Sequence, residues 1–401
     1  MPPTDTIVVG AGPAGSTAAR ELAARGVDVV LLDRARFPRD KPCGGGVTVR
    51  CAALLPFDLS PVVEQVVTGA VLQDRAGRST VRDAGRVLTY LTQRSRLDAY
   101  LVEQAQAAGV EFRDGQHVRS AVQLRDGTYE LRVAPRSGGG VEDVLHARTV
   151  VGADGANGVV ATQLGFSHPA ERAVALEALL PCPDGVPEWL RGRVALSLAY
   201  LPGGYAWLFP KADHINIGVG GWQAAAGAQL RPALDAYCRA QGFDPAALVG
   251  LRGHHLPLQV PGMTVAADGA ALVGDAAALV DPLSGEGIYA AIASGIAVAP
   301  AVDDYLAGTT PDLAGYQLAL TRELGPELAT SRALMEVFHA CPEPFAFALM
   351  RSRRVWGAAV ALVRGETTYE RITRRTGPIA STLAPLARVA RHVSRRRYGA
   401  R

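Results

Sequence analysis

Lysine is nearly missing from this sequence: Lys41 and Lys211 are the only two, and arginine carries the remaining positive charge. Net charge is small as well, at +3 over 401 residues, which excludes a chain that binds nucleic acid through overall basicity. No CxxC pair occurs among Cys43, Cys51, Cys182, Cys238 and Cys341; an odd set without such pairs argues against a disulfide scaffold and fits a reducing compartment. Metal-like spacing is missing too. The adjacent His254 and His255 lack a recognisable third and fourth ligand, and neighbours on a strand point to opposite faces, so no metal is expected. No apolar run reaches the roughly 18 residues of a membrane span; Ile288–Val302 comes nearest and contains Pro300. Strand-like residues and a glycine motif within the first ten positions argue against a signal peptide. These absences predict a cytoplasmic protein, peripheral to a membrane at most.

What is present points to a large globular chain. Hydrophobic residues make up 48%, enough to bury a substantial core and to exclude extensive disorder. At about 150 residues per domain, the length predicts two or three units. Charge is unevenly spread. Residues 351–401 hold thirteen arginines against Glu366 and Glu370, a local net charge of +11, so the other 350 residues sum to −8. Ala387–Arg397 reads either as a basic amphipathic helix for an anionic membrane surface or as a solvated helical face.

Thr6–Val9 is a short strand, followed at once by Gly10-Ala11-Gly12-Pro13-Ala14-Gly15, an alanine-rich helix over Ser16–Arg25, and a second strand over Val27–Leu32 that ends at Asp33. This is one βαβ unit, which predicts a parallel sheet. A helix over Arg94–Gly109, a strand over Val110–Phe112 and a hairpin formed by Val118–Leu124 and Tyr129–Val133 follow, with a loop at Ser137–Gly140. Between about Ser167 and Val260 short strands dominate, with Val194–Tyr200, Tyr205–Pro210 and His214–Gly220 expected to be antiparallel. Gly269–Gly274 then returns to a buried strand and Gly287–Val298 to an apolar helix. The predicted fold is α/β: a Rossmann-like dinucleotide-binding domain from 1–55, 88–166 and 261–310, an inserted antiparallel β-rich substrate domain from 56–87 and 167–260, and a helical, basic C-terminal region over 311–401.

The GxGxxG spacing carries chemistry. Gly10 permits the tight turn, Gly12 lets backbone approach a pyrophosphate, and Gly15 permits close helix–strand packing, while the helix N-terminus with Pro13 and Ala14 offers a positive dipole end. Asp33 is placed to accept hydrogen bonds from ribose hydroxyls, with Arg34 beside it. These residues alone leave NAD and FAD both open.

Further motifs follow in order. Arg94 with Leu97-Asp98, then Ala153-Asp154-Gly155, then Leu272–Ala277 containing Gly274-Asp275, then Asp281-Pro282 and Gly285-Glu286-Gly287 resemble the p-hydroxybenzoate hydroxylase-like flavoproteins. That resemblance implies FAD, with Arg94, Val118, Asp275, Pro282, Gly285, Gly287 and Ile288 among its contacts and Asp275 at the ribityl chain. Glu286 is read as a helix cap. Lys41–Gly46 resembles the PCGGG segment of geranylgeranyl reductases, and Pro202–Pro210 matches their PxxYxWxFP pattern. The WxWxIP motif of flavin-dependent halogenases is not found.

By this resemblance Cys43, Gly44 and Gly46 lie near the flavin, and Cys43 is either a structural residue or a proton donor. Tyr205, Trp207 and Phe209 share one strand face, an apolar wall suited to an isoprenoid chain; an ordinary sheet core has the same pattern. The expected activity is saturation of double bonds in a polyprenyl chain of a lipid, prenyl diphosphate or quinone, with NAD(P)H, ferredoxin or a partner reductase as electron donor. The alternatives are an aromatic or polyketide monooxygenase that uses NAD(P)H and oxygen, and a flavin-binding membrane module without turnover.

Overall fold

The computed structural model describes residues 3–135, 142–166, 171–222, 226–375, 383 and 385–393; the loop expected at Ser137–Gly140 and Arg395–Arg397 lie outside the described residues. The chain divides into two units. One comprises Met1–Asp40, Ser95–Glu171 and Pro257–Pro326, the other Lys41–Arg94, Arg172–Leu256 and Glu327–Arg401.

In the first unit the β-branched run near the N-terminus becomes the strand Thr4–Val9, flanked by Asp143–Gly152 and Val29–Leu32. Ala270–Leu272 and Glu111–Arg113 extend this arrangement outward, and all five strands run parallel. Ile7, Val8, Leu31, Leu32, Val150 and Val151 are buried, the continuous apolar run expected of a parallel sheet covered on both faces. The hairpin Gln116–Gln123 with Tyr129–Pro135 forms as expected and pairs antiparallel with the first half of Asp143–Gly152. The helix Pro13–Ala23 follows the glycine turn and packs against the long helix Ile288–Leu306, which runs through Pro300. Gly295 makes that approach possible, because a Cβ there would stand 2.6 Å from the Ala14 carbonyl oxygen.

The second unit holds a sheet in the order Val249–Pro257, Arg172–Pro181, His214–Trp222, Tyr205–Pro210, Arg193–Leu198, Gly69–Gln73, Ser79–Asp83. A smaller sheet pairs Gly46–Thr48 and Gln65–Val67 with Thr89–Leu91. The expectation of purely antiparallel strands is corrected at one position, since Arg193–Leu198 pairs parallel with Gly69–Gln73. The chain leaves this unit after Arg94 and returns at Arg172, so no hairpin constrains those two strands to opposite directions. Ala206, Leu208, Ile215, Ile217 and Val219 turn to one side of the large sheet, where Leu230, Leu234 and Tyr237 of the helix Leu230–Ala240 cover them.

The units also divide the chain differently from the expected boundaries. Segment 41–55 groups with the second unit, because Gly46–Thr48 finds its hydrogen-bond partners in Thr89–Leu91. Residues after 326 group there too, tied by Arg50–Glu327 at 2.6 Å, by Arg86–Glu366 at 2.8 Å and by the Trp356 indole donating to the Asp83 carbonyl. Residues 311–326 belong with the first unit, where the Tyr316 hydroxyl donates to the Leu272 carbonyl at 2.8 Å.

Candidate cofactor and substrate sites

Within the first unit the motifs read separately in the sequence meet at the start of one helix. Gly10 adopts φ +104, and a Cβ there would stand 2.3 Å from the Ala153 carbonyl oxygen, so the glycine turn and the Ala153-Asp154-Gly155 segment touch backbone to backbone. A Cβ on Gly15 would stand 1.8 Å from the Gly10 carbonyl oxygen, and one on Gly274, at φ +59, would stand 2.8 Å from Ala14 Cβ. Substitution at any of these positions collides with main chain or a close-packed side chain. Asp275 Oδ1 in turn lies 3.3 Å from where a Gly287 Cβ would be, at the start of the helix Ile288–Leu306.

Both helix starts suit an anionic or electron-rich ligand. Pro13–Ala23 begins after Gly12 with no side-chain cap and no acidic residue in its first turn; Ile288–Leu306 begins after Gly287 in the same way. With no side-chain cap at either start, the positive dipole ends are available to a ligand. Asp33 is buried and already engaged: Oδ2 accepts from the Ala11 N–H at 2.9 Å and Oδ1 from the Ala35 N–H at 2.8 Å. It shapes the glycine turn as well as facing it, and Arg39, which the sequence reading did not single out, lies 3.6 Å from Asp33 and 2.9 Å from the fully buried Asp98. Asp154 accepts from the Val159 and Val160 N–H groups through Oδ2, while Oδ1 is buried with no hydrogen-bond partner among the described residues. Burial raises its pKa, and the nearby Arg34 pulls the other way. An uncapped helix start beside a glycine turn, with a spare buried acceptor, fits a dinucleotide.

Elsewhere in this unit Val118 is a buried sheet residue paired with Val133, and Pro282, Gly285 and Ile288 lie on or beside the loop that Asp281 closes by accepting from the Leu283 and Ser284 N–H groups. Arg94, the last residue of the second unit's first segment, is buried at the start of the helix Arg94–Ala107.

Cys43, Gly44 and Gly46 belong to the second unit, together with the aromatic strand. Tyr205, Trp207 and Phe209 share the sheet face opposite the Leu230–Ala240 helix, as the alternation predicts. On that face Trp207 lies over Gly218, whose Cβ would stand 2.1 Å from the indole, and its Nε1 donates to Asn216 Oδ1 at 2.7 Å. Beside Gly218 in register is Glu177, and Glu177 Oε1 accepts from the Cys43 N–H at 2.8 Å. Phe209 reaches the same loop: its Cδ2 is 2.6 Å from where a Gly44 Cβ would be. Lys211, two residues on, is buried and donates from Nζ to the Gly44 and Thr92 carbonyls at 2.8 and 2.9 Å. Burial pulls its pKa down to about 8, against the opposing pull of Cys43, Glu64 and Glu177. The sequence reading missed Glu177, Asn216 and Lys211. A carboxylate inside the apolar strand Ala173–Leu180 and one of only two lysines were the available signals.

Residues 3–186 match the FAD binding domain family. The chain is 30% identical over 342 residues to a geranylgeranyl diphosphate reductase of Rhodobacter capsulatus, covering 84% of each protein. It is 32% identical over 328 residues to a menaquinone reductase of Mycobacterium tuberculosis, covering 75% of this chain and 76% of that one. In fold it is similar to a geranylgeranyl bacteriochlorophyll reductase-like protein of Thermoplasma acidophilum, with a TM-score of 0.75 at 21% identity over 95% of this chain and 98% of that one. The glycine turn, the uncapped helix starts and these sequence relationships agree: this chain is an FAD-dependent oxidoreductase and belongs to the geranylgeranyl reductase family.

Proposed function

We propose that this protein saturates carbon–carbon double bonds in a polyprenyl chain carried by a lipid, prenyl diphosphate or quinone. The observation that carries this reading is the meeting of the aromatic strand with the Cys43 loop on one sheet face, through Phe209 against Gly44 and Glu177 beneath the Cys43 N–H. An isoprenoid has little but apolar surface to offer, and burying it against aromatic rings contributes about 25 cal/mol per Å². Reduced FAD, when bound at the glycine turn and the Asp275 segment, supplies the hydride. Cys43 holds the proton for the other alkene carbon at Sγ, which accepts the Gly45 N–H at 3.4 Å. Tyr205, Trp207 and Phe209 align the chain and exclude water. An isolated alkene has no carbonyl to polarise, so alignment carries much of the rate.

The C-terminal segment completes the reading. Residues 385–393 form a helix whose Ala387 and Ala390 are buried and whose Arg391 reaches the buried Glu336 at 2.8 Å. Leu386, Val389 and Val393 stay exposed beside Arg388. That apolar face suits a membrane surface, where long prenyl chains partition, and the exposed Arg388 lies on another side of the same helix. No helix among the described residues is long and apolar enough to cross one.

The deciding experiment is anaerobic. Protein reduced with dithionite and mixed with geranylgeranyl diphosphate or a menaquinone yields, once any quinol has been reoxidised to the quinone, a product whose prenyl chain is heavier by two hydrogens. A product that forms only with oxygen and gains one oxygen atom identifies a monooxygenase instead.

A further inference from the structure

An ammonium group seldom occupies a protein interior without a task, and Lys211 is 2% exposed. Its surroundings are specific. Nζ donates to the carbonyl of Gly44, within the Cys43 loop, and to the carbonyl of Thr92. Thr92 returns its own N–H to the Gly45 carbonyl at 2.8 Å, so the loop and the Thr92 segment are cross-tied around the ammonium. Gly45 sits at φ +67, where a Cβ would stand 1.9 Å from the Thr92 oxygen and 3.1 Å from Nζ. On the other side of the loop Glu177 takes the Cys43 N–H. The loop is thus held at two adjacent residues, by the Glu177 carboxylate at Cys43 and by the Lys211 ammonium at Gly44.

We propose that Lys211 is a positioning residue for Cys43: it pins the Cys43–Gly46 loop and its positive charge compensates the thiolate left when Cys43 gives up its proton. The role in turnover rests on the reading of Cys43 as proton donor. In that step the S–H bond breaks, a C–H bond forms at the alkene carbon that does not receive the hydride, and the electron pair stays on sulfur. Water then returns a proton to the thiolate.

The charged groups around Lys211 support this arrangement. Glu64 approaches from the segment before Gln65–Val67, Glu177 from Arg172–Pro181 and Cys43 from the loop, and each favours the ammonium form. Burial nevertheless dominates and lowers the pKa to about 8, so the group is charged at neutral pH at a cost to stability. Two backbone carbonyls need only neutral donors. A buried cation kept against that cost, with Cys43 among the charges that favour it, belongs to the class of perturbed groups found at functional sites.

The test reads Cys43 directly and needs no substrate. Holoenzyme is treated with iodoacetamide at pH 7, and alkylation of the Cys43 peptide is followed by mass spectrometry, since only the thiolate reacts. Lys211→Met is expected to slow this reaction at least tenfold, and Lys211→Arg, which keeps charge and donors, to hold it within about threefold. If Lys211→Met does not fold, Lys211→Gln removes the charge but keeps a donor, and the same tenfold loss is expected. Equal or faster alkylation in the uncharged variants overturns the proposal. Cys43→Ser separates the two readings: near-normal oxidation of reduced flavin by substrate would remove the proton-donor role and leave the alkylation result standing.

Discussion

Phe209 stands where a side chain on Gly44 would have to be, with its ring carbon Cδ2 2.6 Å from the position of a Cβ. The first glycine of the PCGGG segment is therefore a packing requirement imposed by the third aromatic residue of the strand Tyr205–Pro210. Gly44→Ala is expected to push the ring aside and shift the Cys43 loop. Turnover should fall at least tenfold, while most FAD is retained, because the glycine turn at Gly10–Gly15 is untouched. Steady-state kinetics with flavin absorbance per chain checks this, and unchanged kcat would show that the ring moves without consequence.

Gly12 tests the cofactor site. Its backbone lies at φ −78 and ψ −176, extended values open to any residue, so Gly12→Val carries no conformational strain. Loss of bound flavin in a folded variant would then report steric exclusion of the pyrophosphate alone. A purified Gly12→Val protein that keeps its full yellow absorbance contradicts the placement.

His339 sets an acid limit on stability. It is buried against the edge of Trp222, with ring centroids 4.1 Å apart, and burial pushes its pKa from 6.5 down to about 4. A base whose folded pKa is depressed favours folding fully above its unfolded value. That contribution is lost as pH falls from 6.5 toward 4, because the unfolded chain takes up the proton first. At about 1.4 kcal/mol per pKa unit the loss is on the order of 3 kcal/mol. Urea unfolding at pH 7 and pH 4.5 should show this fall, and His339→Phe should flatten it. An identical pH dependence in the variant would assign the acid limb to other groups.

The exposed face of the C-terminal helix predicts salt-sensitive binding to anionic vesicles. Val389→Ser with Val393→Ser should weaken cosedimentation with phosphatidylserine-containing vesicles without disturbing the Arg391–Glu336 pair on the other side of the helix. Each arginine near the surface contributes about 1 kcal/mol, so raising salt should release the protein. Equal binding to neutral vesicles would make this helix an ordinary solvated face.

Much of the fold was legible because its signals are local. The parallel strand Thr4–Val9, the glycine turn, the hairpin after Gln116 and the alternation of Tyr205, Trp207 and Phe209 follow from side-chain shape and period over a few residues. The domain boundaries were less legible. Gly46–Thr48 is only three residues long, and what places it is a hydrogen-bonded partner at Thr89–Leu91, far along the chain. The C-terminal arginines read as one basic block, yet Arg391 turns inward to Glu336.

The sequence by itself determined that a strand, a tight glycine turn and a helix follow one another from Thr4 to Ala23, because the steric demands of a strand–turn–helix are met by consecutive residues. It also determined that three aromatic rings share a face, because the strand period is two. Only the tertiary structure decided what those rings face. Glu177, on a strand, and Lys211, just beyond the end of one, converge on the Cys43 loop from 134 and 167 residues away in sequence, and no local pattern carries that information. Their placement is a property of strand register in a sheet assembled from separate parts of the chain, in which pairing energy, not sequence proximity, selects the neighbours.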